Sequence, residues 1–264
     1  ICEKYMQKGV EDNNVLNKGV CIAMDVNTGA ILAMVTTDGY DLNNPYELSA
    51  KDKKKIKSTP KKKQAEAESA ALSNMWRNKA VADTYMPGSV FKMCVASAAL
   101  EENLVNEKTS FTCTGSISVE GETIHCSNIS GHGTQNFVEA ISNSCNPAFI
   151  QIGQMLGAGK FRQYYQGFGF SDKTGIDLPG EAEDSFWKEG KMGGVDLAVA
   201  SFGQNFSITP IQMITACAAV SNGGYVVQPH VVSKITDSKG NVIKTVDKKI
   251  KRQVISDDTS KKMK

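Results

Sequence analysis

Ser89 and Lys92 are spaced for nucleophilic catalysis. Residues i and i+3 of a helix lie on one face, so the serine hydroxyl and the lysine amine can meet. A serine becomes a strong nucleophile when a base removes its proton, and burial can lower the pKa of a lysine until it serves as that base. The helix N-terminus adds free N–H groups near a developing oxyanion. The pair therefore predicts acyl transfer through Ser89, although S-x-x-K matches by themselves are common.

A second polar pair, Ser144 and Asn146, begins 55 residues after Ser89 and falls in a turn between two predicted helices. There the Ser144 hydroxyl could relay a proton between the lysine and a leaving amine. The Asn146 amide could hold both the lysine and a substrate carbonyl. The alternative is a structural role, because serine and asparagine are preferred helix N-caps.

The surrounding pattern predicts an α+β fold with an antiparallel sheet packed against helices. Apolar runs over 20–26 and 30–35 flank an Asn27-Thr28-Gly29 turn, which is typical of a β-hairpin. Further helices are predicted over 1–15, 89–103, 134–142, 147–156 and 208–220, and short strands over 111–126, 226–227, 231–235 and 242–243.

Composition limits the class of protein. The chain has 264 residues, 41% of them hydrophobic, and can bury one large core. Its 30 Lys and Arg against 28 Asp and Glu give a net charge of +2, which does not indicate a nucleic-acid surface. No apolar run reaches the roughly 18 residues of a membrane span, and no signal peptide opens the chain. We expect one domain, residues 1–264, excised from a longer protein with an N-terminal anchor.

Taken together, Ser89-Val90-Phe91-Lys92 and Ser144-Cys145-Asn146 resemble the S-x-x-K and S-x-N motifs of penicillin-binding proteins and serine β-lactamases. Other blocks are similar to class B penicillin-binding proteins, the septal, elongation and sporulation-specific transpeptidases. They are Asp25 to Met34, Arg77 to Val81, Tyr85 to Gly88, Gly131 to Gly133, Pro147 to Phe149, Thr174 to Glu181, Gly203 to Asn205 and Thr209 to Gln212. The similarity runs from about residue 20 to about residue 230.

This resemblance implies a peptidoglycan D,D-transpeptidase with a penicillin-binding fold. In such an enzyme Ser89 attacks the D-Ala–D-Ala carbonyl of a stem peptide, and Lys92 takes its proton. Ser144 then passes a proton to the departing D-Ala, while Asn146 orients Lys92 and the substrate amide. β-Lactams acylate the same serine, and catalysis needs no cofactor.

The resemblance also places the protein on the extracytoplasmic face of the bacterial cell membrane, beside a membrane glycosyltransferase partner. Two alternatives remain at this point: a serine protein that hydrolyses or senses β-lactams, and a non-catalytic cell-wall or division scaffold. Residues 36–80 are interpreted as a polar insertion, with eight lysines between Lys51 and Lys63. This insertion is either a solvated loop or frayed helix, or a patch for anionic wall polymers or lipid headgroups.

The family's third motif, K-[ST]-G on an edge strand, is spelled by Lys173-Thr174-Gly175. We reject this match because it lies in a glycine-rich loop with Pro179 four residues beyond it, and proline is excluded from paired strand interiors. The catalytic motif is therefore expected outside residues 1–264, so that this stretch by itself would be a poor catalyst.

Four potential metal ligands lie near the second motif: Cys113, Cys126, His132 and Cys145. Three thiols and an imidazole suit tetrahedral zinc, although the spacing is not that of a zinc finger. A Cys113–Cys126 disulfide and inert thiols are the other interpretations. His125 is an alternative ligand, and His230 is interpreted as an ordinary surface residue.

Overall fold

The architecture is α+β, as the sequence predicts. The computed structural model describes residues 1–15, 19–37, 39–182, 186–187 and 190–264. The helices are α1 (Cys2–Asp12), α2 (Ala50–Ser58), α3 (Gln64–Trp76), α4 (Lys79–Ala82), α5 (Lys92–Glu101), α6 (Phe137–Ser142), α7 (Asn146–Gly167), α8 (Gly194–Ala200), α9 (Pro210–Ser221) and α10 (Asp257–Lys262). The strands are β1 (Val20–Met24), β2 (Ile31–Thr36), β3 (Ser110–Cys113), β4 (Ser116–Val119), β5 (Glu122–His125), β6 (Gly133–Asn136), β7 (Tyr225–Val227), β8 (Lys234–Thr236), β9 (Val242–Thr245) and β10 (Ile250–Gln253).

Strand pairing is antiparallel throughout these strands, but they do not form one sheet. Within the described ranges they make five two-stranded ladders, namely β1–β2, β3–β6, β4–β5, β7–β10 and β8–β9. A single parallel bridge joins Ala30 to His230 and links the first hairpin to the chain that follows β7. The predicted hairpin over 20–35 is confirmed, since Val20 pairs with Thr36 and Ala23 with Ala33.

The core surrounds α5, the helix that begins at Lys92. Its small residues are buried on almost every side against α7 and α9, as is typical of a helix without a wide polar face. Immediately before it, the Phe91 ring packs 4.8 Å from that of Phe206 and 5.3 Å from that of Phe170. This aromatic cluster fixes the start of the helix that carries the predicted catalytic pair.

The segment before the second motif differs from the prediction. Residues 134–136 belong to β6 rather than to a helix, because Thr134 and Gln135 pair with Thr112 and Phe111 of β3. Helix α6 then begins behind Asn136, whose side chain accepts the N–H of Glu139 in a capping box. Helix α7 also runs past the predicted end at 156, with a kink at Gly157 where φ is 69°.

The lysine-rich segment is helical. Helices α2 and α3 occupy most of residues 50–76, and neither contains a buried residue. The Ser49 side chain caps α2 by accepting the N–H of Asp52. Of the eight lysines between Lys51 and Lys63, all of them described, Lys53 forms the one ion pair, with Glu47 at 3.2 Å. The segment therefore contributes little to the core, and its assignment as an insertion stays a prediction.

None of the described helices is both long and apolar enough to cross a membrane.

One close backbone approach positions the turn before α5. Gly203 has φ of +83°, and its carbonyl accepts the N–H of Gly88 at 2.8 Å. A Cβ at residue 203 would lie 2.0 Å from the Gly88 carbonyl oxygen. Only a glycine at residue 203 allows this contact.

We expect Gly203→Ala to cost more stability than Gly121→Ala, a control in the β4–β5 turn. Gly121 has φ of +90° and open space around its Cβ position. Both variants incur about 1–2 kcal/mol for a left-handed alanine. The clash at residue 203 should add about 1–3 kcal/mol. Urea unfolding measures both changes, and equal losses would contradict the contact.

Candidate active site

Ser89 lies in a single turn of 3₁₀ helix, Gly88–Phe91, which leads into α5. The serine is exposed, whereas Phe91 and Lys92 are buried. In a 3₁₀ helix residues i and i+3 eclipse each other, so Lys92 still follows Ser89 on the same face. The spacing therefore suits a common face although the local helix type differs, and the meeting of the two side chains stays a prediction.

Lys92 is held by the second motif. Its side chain is 4% exposed. The Nζ atom donates to Ser144 Oγ at 3.0 Å, to Asn146 Oδ1 at 2.7 Å and to the Ser144 carbonyl oxygen at 2.6 Å. These bonds use all three protons of an ammonium group. The structure thus brings together Lys92, Ser144 and Asn146, which are 52 and 54 residues apart in the chain.

Burial changes the chemistry of this amine. Loss of hydration is the main cause and lowers the pKa of Lys92 from 10.5 to about 8, while the nearby sulfurs of Cys145 and Cys126 act in the opposite direction. With that pKa, about one molecule in ten carries the neutral amine at pH 7. The neutral amine has a lone pair that can accept a proton from Ser89.

The turn that carries Ser144 is backbone-strained. Ser144 has φ of +49°, a left-handed conformation that is unfavourable for a residue with a Cβ. Two backbone hydrogen bonds hold it, from Ser144 N–H to Ile141 and from Cys145 N–H to Ala140. Cys145, not Ser144 or Asn146, is the N-cap of α7. The N-cap interpretation of the two polar residues is therefore wrong, and their side chains contact Lys92.

The Ser89 hydroxyl makes no hydrogen bond to another residue within the part of the chain that the structure describes. Since the Lys92 protons are all donated to Ser144 and Asn146, a proton moves from Ser89 to Lys92 only when the amine is neutral. Ser89, the fourth predicted residue, is exposed one turn before Lys92, and its contact with the other three stays a prediction.

Lys173-Thr174-Gly175 lies in an irregular loop rather than a strand. The Thr174 hydroxyl donates to Glu181 Oε1 at 2.5 Å, and the Gly175 N–H donates to Glu181 Oε2 at 2.9 Å. The Gly175 carbonyl accepts from Gln228. The polar groups of Thr174 and Gly175 therefore stabilise a loop. This agrees with the prediction that the triplet is not the edge strand of the K-[ST]-G motif.

The four predicted metal ligands converge. The Sγ atoms of Cys113, Cys126 and Cys145 and a ring nitrogen of His132 all lie within 4.8 Å of one another. The three cysteines are buried and the histidine is half-buried. The alternative ligand, His125, is exposed and takes part through its backbone carbonyl, which accepts the Asn146 Nδ2 proton at 3.4 Å.

Backbone N–H groups lower the pKa of one thiol in this cluster. Burial raises the pKa of the Cys126 thiol, but hydrogen bonds from the N–H groups of Asn128 and Asn146 and from the Cys113 and Cys145 side chains bring it below its ordinary value. Asn146 therefore touches both centres, because its backbone donates to sulfur and its side chain accepts from Lys92.

Two polar side chains beside the cluster escaped the sequence analysis, Gln135 and Asn143, which are hydrogen-bonded to each other at 3.0 Å. The predicted helix over 134–142 does not direct Gln135 to the cysteines, and no motif marks Asn143. A prediction of strand pairing between 110–113 and 133–136 would have placed Gln135 on the correct face.

Comparison with known proteins gives three results. Residues 19–264 match the model described as the penicillin binding protein transpeptidase domain. Stage V sporulation protein D of Bacillus subtilis is 39% identical over 92% of this chain and 35% of its own length. The peptidoglycan D,D-transpeptidase MrdA of Acinetobacter baumannii is 30% identical over 81% of this chain and 32% of its own length. The chain thus spans about a third of these relatives.

Solved structures show the same fold. The D,D-transpeptidase domain of a peptidoglycan glycosyltransferase from Eggerthella lenta superposes with a TM-score of 0.80 at 24% identity, covering 98% of this chain and 62% of the other. An imipenem acyl-enzyme of penicillin-binding protein A from M. tuberculosis superposes with a TM-score of 0.79 at 26% identity, covering 99% of this chain and 58% of the other.

The pKa of Lys92 makes a prediction about stability. Between about pH 8 and pH 10.5 the unfolded lysine holds a proton that the folded one has lost. Raising the pH through this window therefore favours folding, by about 3 kcal/mol in total. Urea unfolding of the wild type and Lys92→Met should show this gain only in the wild type. A constant difference between the two across the window would contradict the shifted pKa.

Proposed function

We propose, from the premise that this chain belongs to the penicillin-binding protein transpeptidase domain family, that it performs the acyl-transfer chemistry of a peptidoglycan D,D-transpeptidase. The observation that carries the proposal is the buried Lys92 amine. It is bonded to Ser144 Oγ and Asn146 Oδ1 and lies one turn after an exposed Ser89. These contacts support a site with Ser89 as nucleophile, Lys92 as base and Ser144 as proton relay.

The first half-reaction follows from these contacts. Ser89 Oγ attacks the carbonyl carbon of the penultimate D-Ala, and its proton passes to neutral Lys92. The tetrahedral intermediate collapses as the C–N bond breaks. Lys92 returns a proton through Ser144 Oγ to the departing amine, and an acyl-serine ester remains. An amine of a neighbouring stem peptide then attacks the ester, and the serine regains its proton.

The oxyanion needs hydrogen-bond donors. The Ser89 N–H is at the start of a helical turn, where backbone N–H groups have no partner within the helix. It is the donor that we assign from this chain. The second donor and a carboxylate-binding lysine belong to the K-[ST]-G strand, which we place outside residues 1–264 because the Lys173 loop does not form a strand.

The proposal extends to the whole protein, of which residues 1–264 are one domain. We place it on the extracytoplasmic face of the bacterial cell membrane, anchored by a segment outside this chain and working with a membrane glycosyltransferase. Peptidoglycan stem peptides are its substrates and β-lactams its inhibitors. Two names support this assignment, a D,D-transpeptidase relative and the imipenem acyl-enzyme of a structural neighbour.

The nucleophile can be tested with a labelled penicillin on the protein that contains this domain. We expect one covalent label on Ser89, located by peptide mapping, and none in Ser89→Ala. Lys92→Ala should slow labelling by about 10²-fold or more, since a general base is lost.

Ser97→Ala is the matched control. Ser97 lies on the same helix, and its hydroxyl donates to the Met93 and Cys94 carbonyls. It should label like the wild type. Full labelling of Ser89→Ala would refute the assignment. Rapid release of the label would instead favour a β-lactam-hydrolysing enzyme.

We also propose that Cys113, Cys126, His132 and Cys145 hold one structural Zn²⁺. In a tetrahedral zinc site, Zn–S bonds of about 2.3 Å and Zn–N bonds of about 2.0 Å put sulfur and nitrogen about 3.5 Å apart. The distance from Cys126 Sγ to His132 Nδ1 is 3.6 Å. A disulfide would use two of the sulfurs and leave the imidazole without a role, so the geometry favours the metal.

Such a site would position the catalytic turn rather than join the chemistry. Four protein ligands close a tetrahedral zinc, so water has no coordination position. Cys145 is the residue between Ser144 and Asn146, and Cys126 accepts the Asn146 N–H. Fixing these sulfurs fixes the partners of Lys92.

Elemental analysis of protein purified without added metal should find about one zinc per chain. Chelation should lower the melting temperature and the rate of penicillin labelling together, because the folded site supplies the binding energy. Cys113→Ser should lose the zinc. Cys217→Ser, on α9 and outside the cluster, should keep it. Protein without zinc, or with a Cys113–Cys126 disulfide by mass spectrometry, would refute the metal site and leave the transpeptidase assignment intact.

A further inference from the structure

Gln135 has a buried hydrogen-bond donor without a partner. The residue is 3% exposed. Its Nε2 is the one buried side-chain nitrogen or oxygen among the described residues that lacks a hydrogen bond. Burying an amide donor without an acceptor is unfavourable, so such groups in folded proteins call for a specific explanation.

The position of Gln135 directs this donor to the cysteine cluster. On the paired strands β3 and β6, Gln135 lies opposite Phe111 and Gly133 opposite Cys113. Residues two apart on a strand share a face, so Gln135 shares the face of Cys113. Its Oε1 accepts from Asn143 Nδ2 at 3.0 Å, which fixes the orientation of the amide.

Cys145 is the cluster sulfur nearest in the chain to Asn143, the residue that is hydrogen-bonded to Gln135. Its Sγ lies within 4.8 Å of the Cys113 Sγ, and Gln135 shares the strand face of Cys113. A neutral thiol is a weak acceptor, whereas a thiolate accepts hydrogen bonds strongly. The donor would therefore gain a strong partner only when Cys145 is ionised.

We propose that Gln135 is a positioning residue of the zinc site, whose amide donates to Cys145 Sγ when that sulfur is a zinc-bound thiolate. The inference rests on the zinc site proposed above. It explains why an amide is buried in this place, and it adds a side-chain donor to the backbone donors of Cys126. Second-layer hydrogen bonds of this kind orient metal ligands and tune their charge.

The proposal also connects Gln135 to the catalytic turn. Asn143 and Cys145 flank Ser144, and Gln135 is hydrogen-bonded to Asn143. With the proposed bond to Cys145, one buried amide would hold both residues beside the strained Ser144 backbone. Its effect on Lys92 passes through this turn and not through contact with substrate.

The test measures zinc affinity by competition with a chromophoric chelator. It compares three full-length chains: the wild type, Gln135→Met and Gln135→Glu. Methionine keeps the length of the side chain but removes the donor. Zinc affinity should fall by about 10–100-fold in Gln135→Met. It should fall further in Gln135→Glu, because a carboxylate beside the thiolate cannot donate and repels it.

Cobalt(II) substitution provides a readout that packing would not change. Loss of a hydrogen bond to sulfur raises the energy of its lone pairs, so the thiolate-to-cobalt charge-transfer band of Gln135→Met should shift to longer wavelength. This spectrum reports on any variant that folds with cobalt, even if its stability falls.

Gln212→Met is the matched control. Gln212 is also buried, but its Nε2 donates to the Phe170 and Asp172 carbonyls. This variant should lose stability and keep the wild-type zinc affinity and cobalt spectrum. If the wild type binds zinc, and Gln135→Met binds it with the same affinity and shows the same cobalt band, this inference alone is overturned. A wild type without zinc would overturn both this inference and the metal site.

Discussion

The site depends on one buried cation. An ammonium group that is 4% exposed loses most of its hydration, and its burial is tolerated because three oxygens replace the water. All three come from the Ser144–Asn146 turn, which is more than fifty residues away in sequence. Lys92 is thus both the proposed base and the contact that joins the helix after Ser89 to the Ser144–Asn146 turn.

Much of the structure serves to bring that turn to the amine. The core helix α5 is built of small residues, so α7 can approach it closely. Behind the turn, the end of β5 supplies the His125 carbonyl and the Cys126 sulfur to Asn146. The turn is therefore held on one side by the Lys92 ammonium group and on the other by the end of β5 and the cysteine cluster. This double support explains how a left-handed serine backbone is maintained.

The sequence predicts features that depend on local patterns. The hairpin with its Asn27-Thr28-Gly29 turn and the apolar helix after Ser89 follow from periodicity, and the four proposed metal ligands follow from residue type. Strand β6 could not be recognised, because its Gly-Thr-Gln-Asn sequence is polar and its conformation depends on pairing with 110–113. Helix α3 follows from its alanine and glutamate content, because both are strong helix formers even where no face is buried. The contact between Asn146 and Cys126 is tertiary, and no spacing rule reveals it.

Asn146 uses three separate groups at once: its backbone N–H on sulfur, its side-chain oxygen on Lys92 and its side-chain nitrogen on the His125 carbonyl. Aspartate would keep the oxygen but replace the amide donor with a charge, and alanine would keep the backbone group alone. The asparagine amide carries its acceptor and its donors on two separate atoms, so it can face Lys92 and the His125 carbonyl together. We therefore expect Asn146 to tolerate substitution less than any other residue of the domain. Its tolerance should be lower than that of the helix residues next to Ser89.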